Sequence, residues 1–357
     1  MVLSGFGGVN LRLRAEGKKV TIGIPRALSY YQYFPLWKTF FEELGAEVIT
    51  SPVTSRVMIE EGLRRLAADT CLPVKVFMGH VVSLQGRCDY VFVPAIRSLR
   101  KNVYNCSKFL GLPDLVKAIV PEAPAILSLE TDVSRGKLRI YQAVYGLGSC
   151  LTRNPSKIKR ASLAALRVYH AYRELMSRQG LTPPEAISRM LSPQAGSPAG
   201  RPEPPVTKGT IALIGHPYLL YDNLINHRLI PYLEQTGHDV LTPDLVAGET
   251  LEAAVIEVMA SAQWMCEDEI VGGGEYYLKS RVDGVINLQP FGCGPDSLMA
   301  DVLRRRATYH ATPFMNLPID EHTSEVGILT RLEAFVDMIH RRKMRSNSHA
   351  HRLPTNG

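Results

Sequence analysis

The sequence lacks any C-x-x-C pair, although it contains six cysteines. Zinc ribbons and thioredoxin-like proteins carry such pairs, so the spacing argues against both kinds of site. No apolar run approaches the roughly 20 residues that a membrane helix needs, and residues 1–19 lack the apolar core of a signal peptide. We therefore expect a cytoplasmic protein whose cysteines are buried thiols or ligands rather than disulfides.

Two enzyme motifs are missing as well. There is no G-x-S-x-G sequence, which marks the nucleophile of many hydrolases. Residues 272–274 are three glycines, but no Lys-Ser/Thr pair follows them and no strand leads into them. They are therefore neither a Walker loop nor a dinucleotide fingerprint, and we interpret them as a turn. Nothing else in the chain resembles an ATP site.

The composition is that of a globular protein with two domains. The chain has 357 residues, of which 45% are hydrophobic and 21% are charged. Much of the net charge of +7 lies in residues 153–167 and 341–352, and neither patch is interleaved with stacking aromatics. We expect no nucleic-acid or membrane partner. A basic surface is equally suited to a phosphorylated small molecule or an acidic protein.

The two halves of the chain repeat one pattern of strand, G-x-P turn, helix, glycine and strand. The triplets at 23–25 and 215–217 lie 192 positions apart, and so do Gly45 and Gly237. The pattern predicts an α/β fold with two tandem Rossmann-like (flavodoxin-like) parallel-sheet domains and a helical connecting segment.

The predicted boundaries follow from composition. They are a flexible N-terminal arm (1–17), a first α/β domain (18–145), a helical segment with a Pro/Gly/Ser linker (146–207), a second α/β domain (208–345) and a disordered tail (346–357).

Three cysteines occupy similar places in this pattern. Cys71 precedes a helix, Cys106 follows a buried strand, and Cys293 lies between Gly292 and Gly294 in the sequence NLQPFGCGPDS (287–297). Because ligands bind beyond the carboxyl ends of parallel strands, we expect these cysteines to converge on one cleft. The two glycines would let backbone N–H groups point at a ligand of the sulfur.

Other residues are assigned around this cleft. Pro25, Arg26, His216 and Pro217 follow the first strand of each repeat, so we expect them to line it. Cys88, at the opposite end of a strand, is predicted to be structural. The remaining cysteines, at 150 and 266, receive no role.

Three thiolates from separate loops suit a soft metal group, and iron–sulfur clusters are the usual one. Three ligands rather than four would leave one iron open to a substrate, a water or a bridging sulfide. Two alternatives remain: zinc on the three cysteines and His216, and a set of buried core cysteines with no ligand.

Five segments carry a resemblance to a known family. They read IPRAL (24–28), GHPY (215–218), FGCGPDS (291–297), IDE (319–321) and TRLEAF (330–335). The chain resembles the CoA-dehydratase activase-related proteins of the 2-hydroxyacyl-CoA dehydratase and benzoyl-CoA reductase superfamily, which includes the double-cubane cluster proteins. The most specific of the five segments is FGCGPDS.

The resemblance implies a cluster, either 4Fe-4S or a double cubane, on Cys71, Cys106 and Cys293. It also implies anaerobic chemistry, a separate ATP-hydrolysing activase that injects low-potential electrons, and an acyl-CoA or other small-molecule substrate. The chain is compact compared with catalytic dehydratase subunits, and no CoA-binding segment is evident.

The leading hypothesis is thus a cytoplasmic iron–sulfur protein, a dehydratase-like lyase or a double-cubane-type reductase. It would pass low-potential electrons to a substrate or a partner subunit within a homo- or hetero-dimer. A second hypothesis is a cluster-free module whose two lobes close on a small anionic ligand. A third is a scaffold subunit that carries a cluster but has no turnover.

Overall fold

The computed structural model describes residues 2–3, 19–136, 138–192 and 207–350, of which 2–3, Arg135 and 346–350 are described by their backbone only. The first half contains seven strands among these residues: β1 (Val2–Leu3), β2 (Thr21–Ile24), β3 (Glu47–Thr50), β4 (Tyr90–Phe92), β5 (Ala95–Ser98), β6 (Ala125–Leu127) and β7 (Glu130–Asp132). Its helices are α1 (Tyr30–Glu43), α2 (Arg56–Arg65), α3 (Leu72–Ser83), α4 (Ser107–Leu110), α5 (Leu112–Ile119), α6 (Leu138–Ser149), α7 (Pro155–Gln179) and α8 (Pro183–Leu191).

The second half follows the Pro-rich segment. Its strands are β8 (Gly209–Ile214), β9 (His238–Leu241), β10 (Gly284–Pro290) and β11 (Phe314–Ile319). Its helices are α9 (Pro217–Leu220), α10 (Leu229–Gln235), α11 (Gly248–Met259), α12 (Gly273–Lys279), α13 (Gly294–Tyr309) and α14 (Glu325–Ala350). Short 3-10 turns cover Val133–Arg135 and Pro243–Leu245, and a π-helical turn covers Asp268–Gly272.

The described residues form three parallel sheets, of which the two larger share one strand order and the third pairs β5 with β7. Within the described residues the first sheet has the order β1-β6-β4-β2-β3 and the second β11-β10-β8-β9. The order of the second sheet matches that of the last four strands of the first, so the predicted α/β fold with two Rossmann-like domains is confirmed. The strand order reverses between β2 and β4 in the first sheet and between β8 and β10 in the second, which leaves a crevice at the carboxyl ends of these strands.

The repeat extends to individual hydrogen bonds. The backbone N–H of Thr21 donates to the carboxylate of Asp89 at 2.9 Å, and that of Thr210 donates to Asp283 at 2.8 Å. Gly45 and Gly237 have φ angles of +95° and +89°, which glycine adopts without strain. The G-x-P triplets are not equivalent, however. Gly23 lies inside β2, whereas Gly215 follows the end of β8 because that strand is longer.

The glycines at 272–274 do not form the predicted turn. They continue from the π-helical turn into α12. A Cβ atom on Gly272 would lie 2.5 Å from the carbonyl oxygen of Leu251, and one on Gly273 would lie 2.7 Å from the ring of Pro243. Close approach of neighbouring elements, rather than chain reversal, explains these glycines.

One apolar cluster spans both domains. It contains Phe41 and Leu127 from the first, Tyr172 from α7, and Leu213 and Leu288 from the second. A smaller cluster lies around Val285 in the second domain. Strands of parallel sheets are covered on both faces, and every residue of β10 is accordingly buried.

The ends of the described chain differ from the predicted arm and tail. Val2–Leu3 pairs with β6 as a parallel edge strand, and the rest of the arm, 4–17, lies outside the described residues. Helix α14 continues to Ala350, five residues into the predicted tail, and 351–357 are not described. Across the described residues, no helix combines the length and apolar composition that crossing a membrane requires.

Candidate functional site

Each of the three predicted cysteine ligands is the residue immediately before a helix. Cys71 is the N-cap of α3, Cys106 of α4 and Cys293 of α13, with ψ angles of 144°, 142° and 110°. Helices that cover a parallel sheet run antiparallel to its strands, so their N-termini lie at the carboxyl edge. The fold therefore places Cys71 and Cys293 at the strand edge where ligands bind. Cys106 follows β5, which pairs with β7 in a separate two-stranded sheet, and it caps a helix of four residues.

The three thiols affect one another electrostatically. Burial raises the pKa of Cys71, and a negative charge on Cys106 raises it further. Burial and the Asp296 carboxylate raise the pKa of Cys293 to about 12, with added contributions from Cys71 and Cys106. The structure thus brings the three residues of the prediction into one neighbourhood, from both domains.

Positive groups at the same place favour the thiolate forms. The Lys108 ammonium and the backbone N–H of Val74 lower the pKa of Cys71, and the backbone N–H of Asp296 lowers that of Cys293. Helices α3 and α13 also direct their positive dipole ends at these sulfurs. These effects on the pKa of the two thiols are smaller than that of burial.

The glycines beside Cys293 differ in their conformations. Gly292 has a φ angle of +75°, which lets Cys293 donate its N–H to the carbonyl of Pro290 at 3.2 Å. Gly294 opens α13, and a Cβ atom there would meet nothing within 4 Å. Open space therefore adjoins the cysteine, as a bulky ligand of the sulfur requires.

A cavity of about 340 Å³ lies between the domains next to Cys293. His216, Cys266, Cys293 and Asp296 line it from the second domain, and Gln32 and Arg100 are among the residues that line it from the first. Of the predicted site residues, His216 and Cys293 line this cavity. Its lining residues do not include Cys71, Cys106, Gly292, Gly294, Pro25, Arg26 or Pro217. The Arg26 guanidinium instead lies 5.5 Å from the ring centre of Tyr30.

His216 forms a buried triad with two carboxylates. Its Nδ1 lies 2.7 Å from Glu269, and its Nε2 lies 2.9 Å from Asp296. Burial alone would lower the pKa of this imidazole, but hydrogen bonds and charges from Asp296 and Glu269 outweigh it and raise the pKa to about 10. His216 is therefore an imidazolium at neutral pH, with both ring nitrogens donating hydrogen bonds.

Cys266 is the site residue that the sequence did not reveal. It lies with His216 and Asp296 in a group whose potential ligand atoms are within 4.8 Å of one another. Burial and the charges of Asp296 and Glu269 raise the pKa of its thiol, so this cysteine stays protonated. Its neighbours come from distant segments, and no local spacing signalled them.

The two remaining cysteines lie elsewhere. Cys88 donates to the carbonyl of Leu84 and packs beside Gly23 in the first domain. Cys150 donates to the carbonyl of Gly146 at the end of α6. Neither is among the residues that line the cavity.

Comparison with known protein families gives one match. Residues 21–246 match the CoA enzyme activase uncharacterised domain family, DUF2229. The chain belongs to this family. The matched region contains Cys71, Cys106 and His216, whereas Cys266 and Cys293 lie beyond it. The predicted relationship to CoA-dehydratase activase-related proteins is confirmed. No curated protein matches the chain.

Proposed function

We propose that this CoA enzyme activase-related protein holds an iron–sulfur cluster on Cys71, Cys106 and Cys293. The cluster would pass low-potential electrons to a substrate or a partner subunit. The observation that carries the proposal is the convergence of three N-capping cysteines from both domains, with Cys71 and Cys293 at the carboxyl edges of the two larger sheets.

The donor set suits such a group. Thiolate is the ligand that iron–sulfur clusters take, and metal binding removes the thiol protons that burial otherwise retains. The N–H groups of Val74 and Asp296 point at two of the sulfurs, and such contacts tune a cluster's potential. When bound, a cluster of this kind supplies one-electron transfer.

The neighbouring side chains limit the ligand set to three. Cys266 lies against His216 and Asp296 instead, in a group whose potential ligand atoms are within 4.8 Å of one another. His216 offers no lone pair, since both of its nitrogens donate to carboxylates. The same argument weighs against zinc held by the three cysteines and His216. Three ligands would leave one iron accessible from the cavity.

The decisive experiment measures iron and acid-labile sulfide in protein purified without oxygen. About four irons per chain would indicate one cubane, and about eight a double cubane. We expect Cys293→Ala to remove most of the iron and the visible absorption, and Cys150→Ala, the matched control, to retain both. Equal iron contents in the two variants would exclude Cys293 as a ligand.

The electron donor would be a separate ATP-hydrolysing activase, and the acceptor an acyl-CoA or another small molecule. The family match supports a role in CoA-enzyme activation. Adding a reduced activase and ATP should bleach the visible absorption of the cluster. A cluster that resists reduction under these conditions would favour a scaffold subunit. Sedimentation of the protein with and without the activase would test the homo- or hetero-dimer.

A cluster-free binding module remains the second candidate function. The interdomain cavity would be its site, with Arg173 in the lining as a cation for the anion. Arg100 contributes less, because its guanidinium is paired with Glu252 and Asp268, and the carboxylates that line the cavity weigh against a small anion. This function predicts a colourless protein after attempted reconstitution. It also predicts that the fold survives replacement of Cys71, Cys106 and Cys293 by serine.

A further inference from the structure

Tyr218 lies on the wall of the interdomain cavity that Cys293 also lines. It is in the short helix α9, which begins at Pro217 directly after the end of β8. Proline at the first helical position fixes where this turn starts. The side chain is thus held at the carboxyl edge of the second sheet, where ligands bind. The family match assigns Tyr218 no role.

The ring of Tyr218 is held by contacts from both domains. It stacks on the imidazole of His216, with ring centres 5.0 Å apart and ring planes 25° apart. It also packs against Phe109, with ring centres 6.4 Å apart. Aromatic rings at these separations attract each other. Phe109 belongs to α4, the helix that Cys106 caps, so the ring is fixed relative to the cysteine site on both sides of the domain boundary.

The hydroxyl of Tyr218 has no hydrogen-bond partner among the described residues. It is not one of the unpaired polar atoms that are sealed from solvent. The residue is partly exposed, and the surface it exposes faces the cavity. Two neighbouring donors are already committed, since both ring nitrogens of His216 face carboxylates and the amide of Gln32 donates to Glu269. Tyr218 therefore offers an unused O–H group to the cavity.

The hydroxyl lies close to the sulfurs of the site. Burial and negative charge on Asp296, Cys293, Cys71 and Cys266 raise the pKa of Tyr218 well above its usual value. These interactions place the phenol beside two of the proposed ligands, which come from different domains. A cluster there would add inorganic sulfides to the cysteine thiolates, and hydrogen bonds to the sulfurs of a cluster are among the factors that set its reduction potential.

We propose that Tyr218 donates a hydrogen bond to a sulfide of the cluster on the three cysteines and thereby raises the reduction potential of that cluster. The inference rests on the proposed function, because it requires the cluster. Reduction adds negative charge to the cluster, and an O–H dipole that points at a sulfur stabilises the reduced form more than the oxidised one. Tyr218 would act through the cluster and would not touch the substrate.

The first test compares the reduction potentials of wild type and Tyr218→Phe after purification without oxygen. Iron and sulfide contents should be equal, because phenylalanine keeps the ring contacts with His216 and Phe109. Redox titration of the visible absorption should give a more negative midpoint potential for Tyr218→Phe.

Tyr33→Phe is the matched control for this titration. Tyr33 lines the same cavity, but the charged groups that act most on its hydroxyl are Tyr169 and Glu269 rather than the cysteines. We expect this variant to keep the midpoint potential of the wild type.

The second test detects the proton of the hydrogen bond itself. A hydroxyl proton exchanges with solvent, so in D₂O a deuteron would lie between Tyr218 and the cluster. Electron spin-echo envelope modulation of the reduced, paramagnetic cluster should show a deuteron coupling in the wild type and in Tyr33→Phe. Tyr218→Phe should lack it. A residue that only supports the fold would not change this signal.

The outcomes separate this inference from the proposed function. Equal midpoint potentials or an unchanged deuteron coupling in Tyr218→Phe, at full iron content, would overturn the inference alone. Loss of iron from Tyr218→Phe would also overturn it, because the residue would then support assembly of the site. A wild-type protein that binds no iron would overturn the proposed function and this inference together.

Discussion

His216 is charged although it is buried, so the stability of the fold depends on pH through this residue. Its pKa is raised to about 10, above the value of about 6.5 for the unfolded chain. A raised pKa means that the folded state binds the proton more tightly, so the group stabilises the fold fully below pH 6.5. That contribution is lost as the pH rises from about 6.5 through about 10.

We predict that His216→Gln destabilises the protein at pH 7 by about 3 kcal/mol or more, because Asp296 and Glu269 lose their buried counter-charge. Thermal unfolding at pH 6, 8 and 10 tests this. The difference in unfolding temperature between wild type and variant should become smaller as the pH rises. If this difference in unfolding temperature were the same at all three pH values, the imidazole would be neutral in the folded protein.

Cys266 provides a second test at the residue scale. Because its thiol is kept protonated by burial and two carboxylates, we expect Cys266→Ala to retain the iron content of the wild type. Iron analysis of anaerobically prepared protein measures this directly. A loss comparable to that of Cys293→Ala would make Cys266 a fourth ligand.

At the scale of elements, the position of Cys71 depends on close packing of α2 against α3. A Cβ atom on Gly62 would lie 1.9 Å from the carbonyl oxygen of Lys75, and one on Gly79 would lie 1.9 Å from that of Met58. Each helix thus places a glycine against the backbone of the other. The start of α3, and with it Cys71, is held by this contact.

Gly62→Ala should therefore destabilise the fold by about 1–3 kcal/mol, because backbone atoms must move apart to admit the methyl group. It should also reduce iron retention, because α3 shifts. Gly248→Ala is the matched control, since a Cβ atom there meets nothing within 4 Å. Urea unfolding and iron analysis measure both effects. Equal free energies of unfolding for the Gly62→Ala and Gly248→Ala variants would contradict this, because α2 and α3 would then move apart without loss of stability.

At the scale of the whole molecule, a buried ion pair joins the two domains beside the cysteines. Lys75 on α3 is 1% exposed, and its ammonium lies 2.6 Å from the carboxylate of Glu321, which follows β11. The ammonium also donates to the carbonyl of Ala68 at 2.9 Å. This pair fixes α3 against the second domain, which supplies Cys293.

Removing one partner should be costly, because the other charge stays buried. We predict that Glu321→Gln lowers the free energy of unfolding by about 3 kcal/mol, and that Lys75→Met combined with Glu321→Gln recovers part of the loss. Urea denaturation of the single and double variants tests this coupling. A double variant less stable than the additive sum would contradict it.

Much of the fold followed from local patterns. Several elements carry signals that act within a few residues: Gly45 follows the end of α1, Ser55 caps α2, and Pro73 lies in the first turn of α3. The repeat implied that the two large sheets share a strand order, but not which order it is. The glycines at 272–274 were misinterpreted because their reason is a contact with distant segments.

By itself the sequence determined the two α/β domains, the place of Cys71 before a helix and that of Cys106 after a buried strand. These depend on short-range hydrogen bonding and on the general rule that helix N-termini lie at the carboxyl edge of a parallel sheet. Only the tertiary structure decided that Cys266, Glu269 and Asp296 surround His216, and that Pro25 and Arg26 do not line the cavity. Packing between distant segments sets burial and charge environment, and local spacing carries no record of it.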